Sequence, residues 1–210
     1  LFAGRQTCVE RWRSRSGSLL ARMTDRQWTG VVLAGGQSSR MGTDKALIQV
    51  NERSLLQHAI DLLRPHVREI LVIGDPAKYT PEHATVIPDD EPGKGPLGGL
   101  VTALRHARYV RVLVLACDLP NLNDRLIALL KSELHGDRDA VVPNHSGYIE
   151  PLAAAYHRHA IEDFDDCLKN DVLKMSKALE RIHTAYTDVE PGEDGWPQDL
   201  FKNVNAPTDL

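Results

Sequence analysis

The chain has 210 residues, 42% hydrophobic and 26% charged, which suits one soluble globular domain long enough to bury its own core. No apolar run approaches the roughly 18 residues of a membrane span, and the three cysteines, Cys8, Cys117 and Cys167, are odd in number and lack CxxC spacing, so neither a disulfide framework nor a zinc site is expected and a reducing cytoplasm fits. The formal charge of −4 gives no bulk attraction to nucleic acid, so an anionic substrate has to be held by a locally basic loop.

Residues 1–22 read apart from the rest. They carry Arg5, Arg11, Arg13, Arg15 and Arg22, several serines and one acid, Glu10. A transit peptide can have this composition, and so can a disordered extension; the second is the expectation here, with the domain at 23–210. The chain begins with Leu1, and Met23 stands just before the first strand pattern as a candidate natural start.

From Thr29 the pattern is regular. Thr29–Leu33 is apolar and β-branched and reads as a buried strand. Ser54–His66 has helical spacing, with Ser54 as N-cap and Pro65 near its end. Glu69–Ile73 and Thr85–Ile87 read as strands. Leu97–Ala107 reads as a helix weakened at its start by Gly98 and Gly99. Val110–Ala116 is the most strand-like run, followed by a helix at Asp124–Leu134. Ala140–Val142 and Leu152–Tyr156 read as further strands, Ile161–Leu168 and Val172–Ile182 as further helices, and 187–199 as a loop. Apolar strands alternating with helices predict an α/β fold: a three-layer, mainly parallel, Rossmann-like sheet covered on both faces. Ligands of such sheets bind outside the carboxyl ends of the strands, which directs attention to 34–45, 74–78, 88–96, 117–120 and 143–151.

The segment after the first strand runs Leu33-Ala34-Gly35-Gly36-Gln37-Ser38-Ser39-Arg40-Met41-Gly42-Thr43-Asp44-Lys45. Glycines let backbone N–H groups turn toward a phosphate, and Arg40 and Lys45 add charge. It is neither a Walker A loop nor a GxGxxG turn. Its alternative is an ordinary βα turn with a solvated basic edge. Asp118 follows the strongest strand and projects where a Mg2+ ion shared with phosphates would lie; its alternative is a cap for the next helix. Asp89-Asp90-Glu91 follows the short third strand, where a solvated acidic turn is the competing reading. Gly93 to Gly98 formally satisfies GxGxxG, with Asp118 20 residues further on, but the preceding strand is very short and the leading acids would repel a pyrophosphate.

Leu33 to Lys45 resembles the signature LAGGxSxRMGxDK of the molybdenum cofactor guanylyltransferases (MobA-type) of the nucleotidyltransferase superfamily. Gly95-Pro96-Leu97-Gly98-Gly99 is similar to the family's GPLxG turn, Cys117-Asp118-Leu119-Pro120 to its CDxP metal motif, and Pro151-Leu152 with Tyr156 to its PLxxxY strand. Residues 201–210 resemble its closing FxNxNxPxDL.

The resemblance implies a cytoplasmic enzyme that moves GMP from GTP to the phosphate of molybdenum-molybdopterin and releases pyrophosphate. It implies Mg2+ as cofactor, and delivery proteins or molybdoenzymes as partners. Lys45, Arg40 and Asp118 are its expected catalytic residues. Leu33, Ala34, Gly35, Gly36, Lys45, Asp89 and Asp118 are the expected nucleotide contacts. Asp118 is the expected metal ligand, with Asn203 and Asn205 supporting the metal or acceptor. Alignment at Asp89 can slip to Asp90. The chain departs from many relatives after the second strand, where Gly74-Asp75 replaces an asparagine. CTP with the same chemistry, and a nucleotide-binding regulator without turnover, are the alternatives; Gly35 favours the guanylyl branch.

Overall fold

A computed structural model describes residues 27–34, 44–204, 206 and 209. The expected extension 1–22, and Gly35, Gly36, Arg40 and Asn205, lie outside the described residues.

Among the described residues the central sheet has eight strands. Strand β1 (Trp28–Leu33) occupies its middle. The short ribbon β2 (Gln49–Val50) and β3 (Arg53–Ser54) follows, apart from the sheet, and leads into helix α1 (Leu55–Leu63). Next come β4 (Glu69–Ile73), β5 (Thr85–Ile87), helix α2 (Gly95–His106) and β6 (Arg111–Ala116). Helix α3 (Asp124–Glu133), β7 (Ala140–His145), β8 (Tyr148–Ile149) and β9 (Ala153–His157) precede α4 (Ile161–Lys169), α5 (Met175–Leu179) and β10 (Thr184–Asp188).

The strand order is β10-β7-β9-β6-β1-β4-β5, with β8 on the end of β7. Strand β1 runs parallel to both neighbours, with Val31 opposite Leu71 on one side and Val114 on the other. Strand β9 runs antiparallel between β6 and β7, and β8 antiparallel to β7 at its end, so the sheet is mainly parallel with two reversed strands. Successive strand residues feed opposite faces. Trp28, Val32, Leu113 and Leu115 join the layer under α1, α3 and the closing segment. Val31, Leu33, Val112 and Val114 join the layer under α2, α4 and α5. Among the described residues no helix is long and apolar enough to cross a membrane.

Several boundaries differ from expectation for local reasons. Ser54 does cap α1, its Oγ accepting from Gln57 N at 3.2 Å. That helix stops at Leu63, since Pro65 has no N–H to continue the ladder. Helix α5 starts at Met175 rather than at Val172. The cap of α4 uses up Val172: Asp171 takes a left-handed φ of 58°, and Val172 N donates to Cys167 O at 2.8 Å, a Schellman closure. The stretch 187–199 is only partly loop, because Thr187 and Asp188 complete β10 on the sheet edge.

Candidate active site

The carboxyl ends of β1 and β6 lie side by side, Leu33 paired with Ala116. Beyond them a cleft of about 170 Å³ is lined by residues that include Ala34, Asp44, Lys45, Pro96, Cys117 and Asp118. Lys45 and Asp118 face each other across it, Nζ to Oδ2 3.8 Å, each side chain 27% exposed. That separation is beyond a direct hydrogen bond, so the pair is a loose ion pair on the cleft wall.

Each wall has a cause in the chain. Lys45 opens a 3-10 turn, Lys45–Leu47, capped by Asp44, whose Oδ1 accepts from Ala46 N at 3.1 Å. Asp44 Oδ2 accepts from the Tyr79 hydroxyl at 2.7 Å, and the same hydroxyl lies 3.0 Å from Ala34 O. Asp118 is fixed through its main chain: Val204 N donates to Asp118 O at 2.8 Å. Val204 is in turn buried with Ile48 and Leu55, which ties the closing segment to both sides of the cleft. Helix α3 takes its cap from Asn123, whose Oδ1 accepts from Leu126 N at 3.1 Å, so capping is not the task of the Asp118 carboxylate. Helix α2 points its amino end at the cleft through Pro96, without a side-chain cap, and the positive end of its dipole favours an anion there.

Burial, followed by the neighbouring Asp118 and Asp44 carboxylates, pushes the Cys117 thiol up to about 12. Cys117 is therefore a protonated lining group of the metal-free cleft at neutral pH, not a thiolate nucleophile. Among the described residues no three His, Cys, Asp or Glu side chains converge as a metal cage. The Asp44 oxygens accept from Ala46 N and the Tyr79 hydroxyl, and the Asp118 carboxylate on the open cleft suits a hard divalent ion that keeps waters and shares phosphate oxygens, which is how Mg2+ is usually held.

The structure thus brings Leu33, Ala34, Lys45 and Asp118 together. Asp89 is not among the residues lining the cleft. Its Oδ1 accepts from Thr102 Oγ1 at 2.9 Å and from Glu91 N at 3.0 Å, which docks the acidic loop along α2. Asp90 pairs with His106 at 3.0 Å. Asn203 is exposed and directly precedes the anchored Val204. The Gly74 N–H is occupied by Ile87 O at 2.9 Å, and Asp75 Oδ1 holds its own turn through Ala77 N at 2.9 Å. The formal GxGxxG stretch runs from a loop into α2 at Gly95. Gly98 has an internal reason: a Cβ there would stand 2.7 Å from Glu91 O.

Asp44, Tyr79 and Cys117 are site residues that the motif reading did not single out. Asp44 and Cys117 carried a signal as fixed letters of the loop signature and of the CDxP motif, without a role assigned to them, and Tyr79 carried none. A larger groove of about 290 Å³, lined by Asp163, Asp166, Cys167, Asn170 and Arg181, shares no residue with this cleft.

Residues 30–185 match the MobA-like NTP transferase domain family. A Geobacillus protein named molybdenum cofactor guanylyltransferase is 32% identical over 190 residues, 86% of this chain and 95% of its own length. A relative of the same name from Pelotomaculum thermopropionicum is 31% identical, covering 88% of this chain and 90% of its own. The crystal structure of molybdopterin-guanine dinucleotide biosynthesis protein A from Archaeoglobus fulgidus superposes with a TM-score of 0.70 at 26% identity, over 86% of this chain and 94% of that one. At the level of fold alone, 2-C-methyl-D-erythritol 4-phosphate cytidylyltransferase from Thermus thermophilus superposes with a TM-score of 0.60 at 19% identity, over 81% of this chain and 94% of that one.

Proposed function

This chain belongs to the MobA-like NTP transferase family, and from that premise we propose that it transfers GMP from GTP to the phosphate of molybdenum-bound molybdopterin, releasing pyrophosphate. The observation that carries the reading is the Lys45–Asp118 pair, held 3.8 Å apart in a cleft at the strand ends.

In the proposed reaction an acceptor phosphate oxygen forms a bond to the α-phosphorus of GTP. The bond from that phosphorus to the β-phosphate bridging oxygen breaks, and its electron pair leaves with pyrophosphate. The acceptor is already an anion, so no strong general base is needed. The obstacle is holding anions together, and positioning with electrostatics supplies the acceleration. Lys45 neutralises triphosphate charge and the amino end of α2 adds to the same field. Asp118 is the residue to hold Mg2+, which when bound screens phosphate oxygens and stabilises the departing pyrophosphate. Gly35, Gly36 and Arg40 are assigned backbone and charge contacts to the triphosphate on their motif. Asn203 and Asn205 are assigned to the acceptor side on the same basis. A nucleotide contact by Asp89 would use Oδ2, since Oδ1 serves the fold.

The test is pyrophosphate release with each of the four nucleoside triphosphates, with and without molybdopterin, across a magnesium titration. Release that needs both GTP and the molybdenum-loaded acceptor is expected. Release with CTP in preference to GTP would move the chain to the cytidylyl chemistry, and tight GTP binding without release would make it a binder.

A further inference from the structure

We infer that Tyr79 is the positioning residue of this cleft, its hydroxyl bridging the end of β1 to the cap of the Lys45 turn and so setting where the Lys45 ammonium stands against Asp118. The inference rests on the reading that Lys45 holds the triphosphate.

The link runs through contacts on both sides of the phenol. Tyr79 closes a tight turn after β4, its N–H donating to Asp75 O at 3.2 Å. The ring is 5% exposed. It lies close enough to Gly74 that an added Cβ there would stand 2.6 Å from Cε2, so the missing side chain is what lets the ring reach inward. The hydroxyl carries one hydrogen for two acceptors, Asp44 Oδ2 at 2.7 Å and Ala34 O at 3.0 Å. Ala34 is itself tied to the sheet, its N–H donating to Ile73 O at 3.0 Å. Asp44 is tied to Lys45 through the cap on Ala46 N. The sheet therefore reaches Lys45 through β4, Tyr79 and Asp44 in turn, over contacts between residues 45 and 35 positions apart. Burial and then Asp44 hold the phenol well above the usual tyrosine range, so it stays a donor at any working pH. A part-buried bond to a carboxylate is among the stronger positioning contacts available to a neutral side chain.

Tyr79→Phe keeps the ring on Gly74 and deletes only the bridge. The expected result is a KM for GTP raised about tenfold, with the KM for the acceptor unchanged and the protein still folded. A second arm does not depend on turnover: calorimetric binding of inorganic tripolyphosphate in chelator, which reads the triphosphate subsite that Lys45 serves. Its Kd should rise by a similar factor in Tyr79→Phe and by less than about twofold when the same change is made in a Lys45→Ala background, since residues acting through one another are not additive. An unchanged Kd in Tyr79→Phe, a tenfold loss repeated in the Lys45→Ala background, or no tripolyphosphate binding by the wild type would each overturn the inference. A wild type that binds tripolyphosphate and follows this cycle but releases no pyrophosphate would leave the bridge standing and remove the proposed reaction. Should Tyr79→Phe not fold, Gly74→Ala displaces the same hydroxyl from behind and must give the same pattern.

Discussion

Asp118 and Lys45 share one cleft at 3.8 Å, so each sets the electrostatic surroundings of the other. Asp118→Asn keeps size and hydrogen-bonding capacity and removes the charge that would attract Mg2+. Turnover is expected to fall by about a hundredfold or more. Triphosphate binding in chelator should hold or tighten, because an anion has left the cleft and Lys45 has lost its competitor. Pyrophosphate release across a magnesium titration, beside calorimetry, separates the two effects. Wild-type turnover with wild-type magnesium dependence would reject Asp118 as metal ligand. These two residues were legible in the sequence because each sits in a short motif next to a strong strand. Tyr79 was not, because nothing local in Pro76-Ala77-Lys78-Tyr79 announces a contact with Ala34 and Asp44.

At the level of elements, α2 shows how local propensity can mislead. Two glycines near its start cost helix stability relative to alanine, about 1 kcal/mol each. Packing decides the matter at Gly98, where a Cβ would meet the Glu91 carbonyl at 2.7 Å and Lys94 Cβ at 3.0 Å. Gly98→Ala should therefore lose stability despite its better propensity, by about 1–3 kcal/mol, as overpacking does. Urea unfolding measures this, and a gain in stability would mean that the acidic loop moves aside freely. The central strands were legible because both faces are buried and their runs are uninterrupted. The reversed direction of β9 was not, since a strand buried on both faces has the same composition whichever way it runs. Strand β10 hid for the opposite reason: it is an edge strand with Tyr186 50% exposed, so no apolar run marks it. Strands β2, β3 and β8 have two residues each, too few to show a period.

For the whole molecule, pH dependence follows from two tyrosines buried in the core layers and a half-buried histidine. Tyr156 and His157 are neighbours on β9, in the middle of the sheet. Tyr156 is fully buried and donates to Pro151 O at 2.7 Å; burial, with a smaller contribution from Tyr186, raises its pKa well beyond the usual tyrosine range. Tyr79, in the opposite layer, is raised by burial and then by Asp44. An unfolded tyrosine ionises from about pH 10 and these two do not, so above that pH the folded state holds more protons and stability falls. His157 gives the opposite limb. Burial comes first and His159 next in lowering its pKa, with Arg111 and Arg158 acting in the same sense and Asp139 opposing them. Its unfolded form takes up a proton at about pH 6.5, before the folded form does, so stability falls as pH drops below that value. The Cys117 thiol, pushed up to about 12 in the fold, joins the alkaline limb from the unfolded thiol value of about 8.5. The urea midpoint is therefore expected to be highest between about pH 6.5 and 8.5, and to decline on both sides. Tyr156→Phe should lower the plateau by the lost hydrogen bond and make the alkaline decline shallower. His157→Gln should do the same for the acid limb and leave the alkaline limb alone. A wild-type midpoint that stays level from pH 9 to 11 would mean that the tyrosine hydroxyls reach water in the folded state, against their burial beneath the helices on both faces.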